Sequence, residues 1–147
     1  MAVGLAARNV SRGGGPFGAV VVKGGRVIAK AVNTVTADGD ATAHAEVNAI
    51  RVACKKLKSF ELRGCTIYVS AQPCPMCMGA IYWARPEAIY WAADISAAAK
   101  AGFDDDFIYK ELAAAPGKRK IKTARVNTAQ ADLPFKLWAA KTDKAEY

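Results

Sequence analysis

The 147-residue chain has no run of 18 or more uninterrupted apolar residues, and a helix needs about that many to cross a membrane. Its opening, MAVGLAARNV, lacks the basic, long-apolar and cleavable parts of a secretory signal. A cytoplasmic location with no membrane partner is therefore expected. Cysteine is sparse, with four in all. Cys74 and Cys77 stand too near each other for an ordinary structural staple, so reduced thiols are expected rather than the disulfide framework of an exported domain. Histidine is rarer still, with one residue. Acidic residues are short, 13 against 21 basic ones, for a formal net charge of +8. The chain shows neither an internal repeat nor a low-complexity segment.

The apolar residues, 52% of the total, suffice for one ordinary core at this length. A single domain over residues 1–147 is expected. The positive excess would suit a phosphate-bearing partner, since a basic face attracts nucleic acid whatever its base sequence. It leans toward the C-terminal third, where Lys118, Arg119, Lys120 and Lys122 cluster. A solvated face that keeps the protein soluble is the preferred reading, with nucleic acid as the less favoured one.

Along the chain, a short opening helix ends at Gly13-Gly14-Gly15-Pro16. FGAVVVKGGRVIAKAV then reads as a β-hairpin turning at Lys23-Gly24-Gly25-Arg26. AHAEVNAIRVACKKL reads as a helix, with Val47, Ile50, Cys54 and Leu57 inward and Thr42 as its N-cap. CTIYVS is a strand, Cys74 to Ala84 a largely buried helix, and EAIYWAA another strand. Helices through Phe107 to Leu112 and near Gln130 to Ala140 follow, with a short β-like KTARVN between them. Alternating strands and helices give parallel crossover units, and the hairpin adds antiparallel strands. The expected class is α/β, a three-layer α/β/α sandwich around a mixed sheet of about five strands.

The chemistry concentrates in His44-Ala45-Glu46 and Pro73-Cys74-Pro75-Met76-Cys77, each at an expected helix start. A Cys-x-x-Cys at a helix N-terminus meets unpaired amide N–H groups and the positive end of the dipole, which favours thiolate. Two thiolates and one neutral imidazole make the three protein ligands of an open tetrahedral zinc site, with the fourth position left to water. Such chemistry needs a group that takes the water's proton and returns it to a departing nitrogen, the part Glu46 suits. Residues two apart face opposite ways in mid-helix, so His44 and Glu46 share a site only if the helix begins at them. A redox pair would not need the His-x-Glu, and a zinc ribbon would want a second Cys-x-x-Cys, which Cys54 and Cys65 do not supply. The pattern is the signature of zinc nucleobase deaminases.

Beyond the motif, the chain resembles the bacterial-type guanine deaminases, with their cytidine-deaminase-like fold. The resemblance runs through GGPFGAVVVKGG, DATAHAEVNAIRVACK, PCPMCMGAIYWARPEAIYWAA, AGFDDDFIYKEL and the terminal Glu146-Tyr147. It implies one zinc per subunit and a purine base as substrate, guanine becoming xanthine and ammonia. It implies that Asn33 hydrogen-bonds the purine, that Phe17 and Trp83 line the ring pocket, and that the backbone near Ala45 assists. It assigns Asp105 to the exocyclic amine or its proton. It further implies a homodimer in which a C-terminal segment, about 115–147, is exchanged so that Tyr147 closes the partner's pocket. From chemistry alone, Asn33 also reads as a loop residue ending a strand, and the acidic triplet Asp104-Asp105-Asp106 as a solvated helix cap. Gln72 stands where the family usually has Glu. Competing readings are a deaminase of guanosine, cytosine or tRNA adenosine, and a nucleic-acid-binding module that keeps zinc only as a staple.

Overall fold

The computed structural model describes residues 1–146, and Tyr147 lies outside them. The chain divides into two compact units, residues 1–110 and 111–147. The first unit holds one mixed sheet. Its strands are β1 (Gly18–Lys23), β2 (Arg26–Val32), β3 (Cys65–Ala71) and β4 (Ala88–Ala93), in the order β2-β1-β3-β4. β1 runs antiparallel to both its neighbours, while β3 and β4 are parallel. The sheet has four strands, not about five, because Lys122–Asn127 is irregular and exposed.

Period-two alternation assigns the two faces. Ala19, Val21, Ile67 and Val69 point toward α3 (Ala45–Leu57) and α4 (Pro75–Ala84), where they form the core with Ala49, Ala53 and Ile81. The innermost stripe of α3 is Ala45, Ala49 and Ala53, with Ile50, Cys54 and Leu57 packed beside it and Val47 half-buried. The alanines let the helix axis approach the sheet more closely than the expected larger residues would. The opposite face carries Val20, Tyr68 and Tyr90 in register, the two tyrosine rings stacked at 5.5 Å. There α1 (Ala2–Val10) crosses over Gly18, where an added Cβ would meet the Ala2 carbonyl at 2.5 Å. The layers are helix, sheet, helix, as the sequence reading expects.

The remaining helices are α2 (Val35–Asp38), α5 (Ile95–Lys100) and α6 (Asp105–Ala113), the last running across the boundary between the units. The second unit contains a 3-10 turn at Pro116–Lys118 and α7 (Leu133–Ala140). Within it, the Arg119 guanidinium donates to the carbonyls of Ala114 and Leu112 at 3.0 and 3.1 Å. Among the described residues, no helix is long and apolar enough to cross a membrane.

Candidate metal centre and its pocket

Two helix starts meet at one end of the sheet. His44 is the N-cap of α3, and Cys74 is the N-cap of α4, with Pro75 in the first helical position, where its missing N–H costs nothing. Thr42, expected as the cap, is instead held by Asp40, whose carboxylate accepts both its N–H and its hydroxyl at 2.7 Å. The shift of the helix start to Ala45 puts His44 and Glu46 in the same first turn, so both face one site.

His44 Nδ1 lies 3.6 Å from Cys74 Sγ and 3.5 Å from Cys77 Sγ. The ligand atoms of these three residues all fall within 4.8 Å of one another, and they are the one such cluster found among the described residues. Ordinary zinc–sulfur and zinc–nitrogen bonds at a tetrahedral angle give an N···S edge of about 3.6 Å. The donor set and its spacing therefore fit zinc.

The three ligand side chains strongly perturb one another's protonation. The hydrogen bond from Cys77, with a further contribution from His44, draws the Cys74 thiol down to about 4. The same bond, reinforced by burial, holds Cys77 as a thiol with its pKa raised. The hydrogen bond to Cys74 raises His44. Glu46, only 6% exposed, has its carboxyl raised by burial in the α3 first turn. Such a carboxyl holds a proton more readily than one in water, which suits a proton carrier.

His44, Glu46 and Cys74 open onto a cavity of about 600 Å³. It is lined also by Gly13 to Phe17 and Asn33, and by Gln72, Phe103 and Asp105. Asn33 follows the end of β2 and is 8% exposed, so its loop role and its place in the cavity coexist. Its N–H donates to the Phe17 carbonyl at 3.1 Å, and its Oδ1 accepts the Val35 N–H at 3.3 Å. Asp105 opens α6, with its carboxyl raised by burial and then by the Cys74 charge. Ala45 is fully buried between the two cavity residues of its turn.

Trp83 is not among the cavity-lining residues. It stands two positions after the buried Ile81 on α4, roughly 200° around the helix, and is 65% exposed. The ring that meets Phe17 is Phe103, edge to face at 4.8 Å. Tyr109, one turn after Asp105, donates its hydroxyl to the Pro73 carbonyl at 2.9 Å and ties α6 to the loop that carries Cys74. Gln72 accepts the Ile95 N–H at 3.4 Å, capping the start of α5. Sequence reading missed Phe103 and Tyr109, although both lie within the AGFDDDFIYKEL stretch.

Known proteins match this arrangement. The family model for the cytidine and deoxycytidylate deaminase zinc-binding region matches residues 1–93. A guanine deaminase of Bacillus subtilis is 52% identical, covering 99% of this chain and 94% of its own. A crystal structure of guanine deaminase from that organism superposes with a TM-score of 0.97 over the same shares. A guanine deaminase structure from Nitrosomonas europaea has 32% identity and a TM-score of 0.68, covering 71% of this chain and 61% of that one. A tRNA-specific adenosine deaminase of Aquifex aeolicus is 43% identical over 60% of this chain and 58% of its own. The motif and its geometry, the family model over residues 1–93 and the likeness extending past residue 93 to nearly the whole chain lead to one conclusion: the chain belongs to the cytidine and deoxycytidylate deaminase family, in its guanine deaminase branch.

Proposed function

We propose that the protein hydrolyses guanine to xanthine and ammonia, using one zinc ion per subunit held by His44, Cys74 and Cys77. The observation that carries the reaction class is the buried Glu46 sharing a cavity with the three-ligand cluster. The choice of base rests on the likeness to the Bacillus subtilis guanine deaminase. Zinc at this site would acidify a water molecule for attack on the amino-bearing carbon of the base. Glu46 accepts the water's proton, delivers it to the ring nitrogen, and assists the departure of ammonia. Asn33 hydrogen-bonds the polar edge of the base, Phe17 covers its face, and the backbone at Ala45 assists. Asp105 takes part in holding the amine or moving its proton. The reading gives Trp83 no part in the pocket of its own subunit.

The active unit in this reading is a homodimer in which residues 115–147 are exchanged, Tyr147 closing the partner's pocket. The composition of α7 supports it: Leu133, Phe135, Leu137 and Trp138 are all exposed, and the helix buries none of its residues. Four free thiols suit a cytoplasmic setting. The competing reading is an RNA or cytosine deaminase, which the charge of +8 favours. Ammonia release by zinc-loaded protein on guanine, guanosine, cytosine, adenine and a tRNA anticodon stem-loop separates them. The expected result is release from guanine with little salt dependence; release from the stem-loop instead, falling steeply with salt, would overturn it.

A further inference from the structure

Part of the cavity lining comes from two separate segments, the Gly13 to Phe17 loop and the turn at Asn33. One side chain outside the cavity joins them. Asn9, half-buried in the last turn of α1, donates from Nδ2 to the Gly15 carbonyl and to the Asn33 carbonyl, each at 2.8 Å. Both acceptors are carbonyls, so only the NH₂ end of the amide can serve, and both of its hydrogens are used. The Gly14 N–H donates back to the Asn9 carbonyl at 2.9 Å, closing the loop on the same residue.

Gly14 shows how tightly this latch is packed. A Cβ there would meet Asn9 Nδ2 at 2.4 Å and Asn9 Cγ and Oδ1 at 2.7 Å. The Gly14 backbone lies outside the left-handed region, so alanine would fit the chain and act only by pushing the Asn9 amide away. The loop is also tied to the turn by the bond from the Asn33 N–H to the Phe17 carbonyl. With Asn9 in place, the backbones that carry the Asn33 amide and the Phe17 ring have a fixed spacing.

We infer that Asn9 is a positioning residue for base recognition: it sets the Asn33 and Phe17 wall through main-chain carbonyls and touches neither the base nor the metal ligands. The inference rests on reading the cavity as a purine site. Glu46 and the three-ligand cluster stand on other elements, so losing the latch weakens the hold on the base and leaves the proton chemistry intact.

The test compares zinc-loaded wild type with Asn9→Ser, Asn9→Ala, Gly14→Ala and the double variant Asn9→Ala/Gly14→Ala. The serine hydroxyl can serve one carbonyl and alanine neither. KM for guanine is expected to rise a few-fold with serine and about tenfold with alanine, with kcat within about threefold of wild type. Gly14→Ala should match Asn9→Ala, and adding it to Asn9→Ala should change KM by less than about twofold, since there is then no amide to displace. Hydrogen exchange supplies a readout independent of turnover: the Gly14 and Asn33 amides exchange faster in Asn9→Ala, while those of Val20 and Val21 do not change. Unchanged exchange at those two amides, an unchanged KM, independent effects of the two substitutions, or kcat and zinc content falling with KM would each overturn the inference. Failure of the wild type to turn over guanine would reject the substrate reading alone, because exchange in Asn9→Ala still decides the latch.

Discussion

The two units of the chain handle apolar side chains in opposite ways. Residues 1–110 bury Val21, Leu62, Ile67 and the ligand Cys77 almost completely and build the whole cavity from their own segments. Residues 111–146 contain no buried residue, and Phe135 there is 75% exposed. The first unit contains a core and the metal-ligand cluster; the second carries large apolar side chains and buries none of them among its described residues. Metal binding and proton transfer should therefore respond to changes in the first unit, and assembly to changes in the second.

The largest effect expected is that of Cys77→Ala. It should abolish zinc binding and ammonia release together, whereas substitutions after Lys110 leave the metal content at one per chain; metal analysis beside the activity assay reads both. Next is a contrast in stability. Ile67→Ala should cost about 2–5 kcal/mol in denaturant unfolding at any protein concentration, since Ile67 is fully buried. If the proposed dimer forms through α7, Leu137→Ala should instead raise its dissociation constant by roughly tenfold in sedimentation, with a concentration-dependent thermal midpoint. A concentration-independent loss as large as that of Ile67→Ala would break the comparison.

Tyr109→Phe should be milder. It removes the hydroxyl bond to Pro73 and should cost about 0.5–1.5 kcal/mol in thermal unfolding, with a few-fold loss of turnover as Asp105 loosens. The smallest effect is that of Glu61, which lies on the surface of the first unit. Arg63 and then Arg85, the latter at 2.8 Å, hold its carboxyl below the ordinary carboxylate range. A lowered folded value means that its contribution is complete above that range and is lost as pH falls through the lowered value. The midpoint difference between wild type and Glu61→Gln should therefore be constant near neutral pH and vanish in acid; a difference that grows in acid would refute the assignment.

What the sequence made legible was local. His44, Glu46, Cys74 and Cys77 announce themselves because ligand chemistry demands those residue types at helix starts, and both starts lie at the motif. Strand alternation likewise gives the two sheet faces. The rest depends on partners distant in the chain. Asn9 acts on the carbonyls of Gly15 and Asn33, and Tyr109 on that of Pro73, which no side-chain pattern records. Phe103 reads as an ordinary apolar residue until Phe17 is beside it. Trp83 was expected at the ring pocket from resemblance, yet the phase of α4 turns it outward. KTARVN has β-prone residues but pairs with no strand among the described residues.

The central claim is that Glu46 moves the protons at a metal site it does not itself hold. Xanthine formation by Glu46→Gln, measured at the same zinc loading as wild type, tests it most directly. The account predicts full zinc content and a fold like that of wild type, with turnover reduced by about 10²–10⁴ or more. Turnover near the wild-type rate with zinc in place would contradict it.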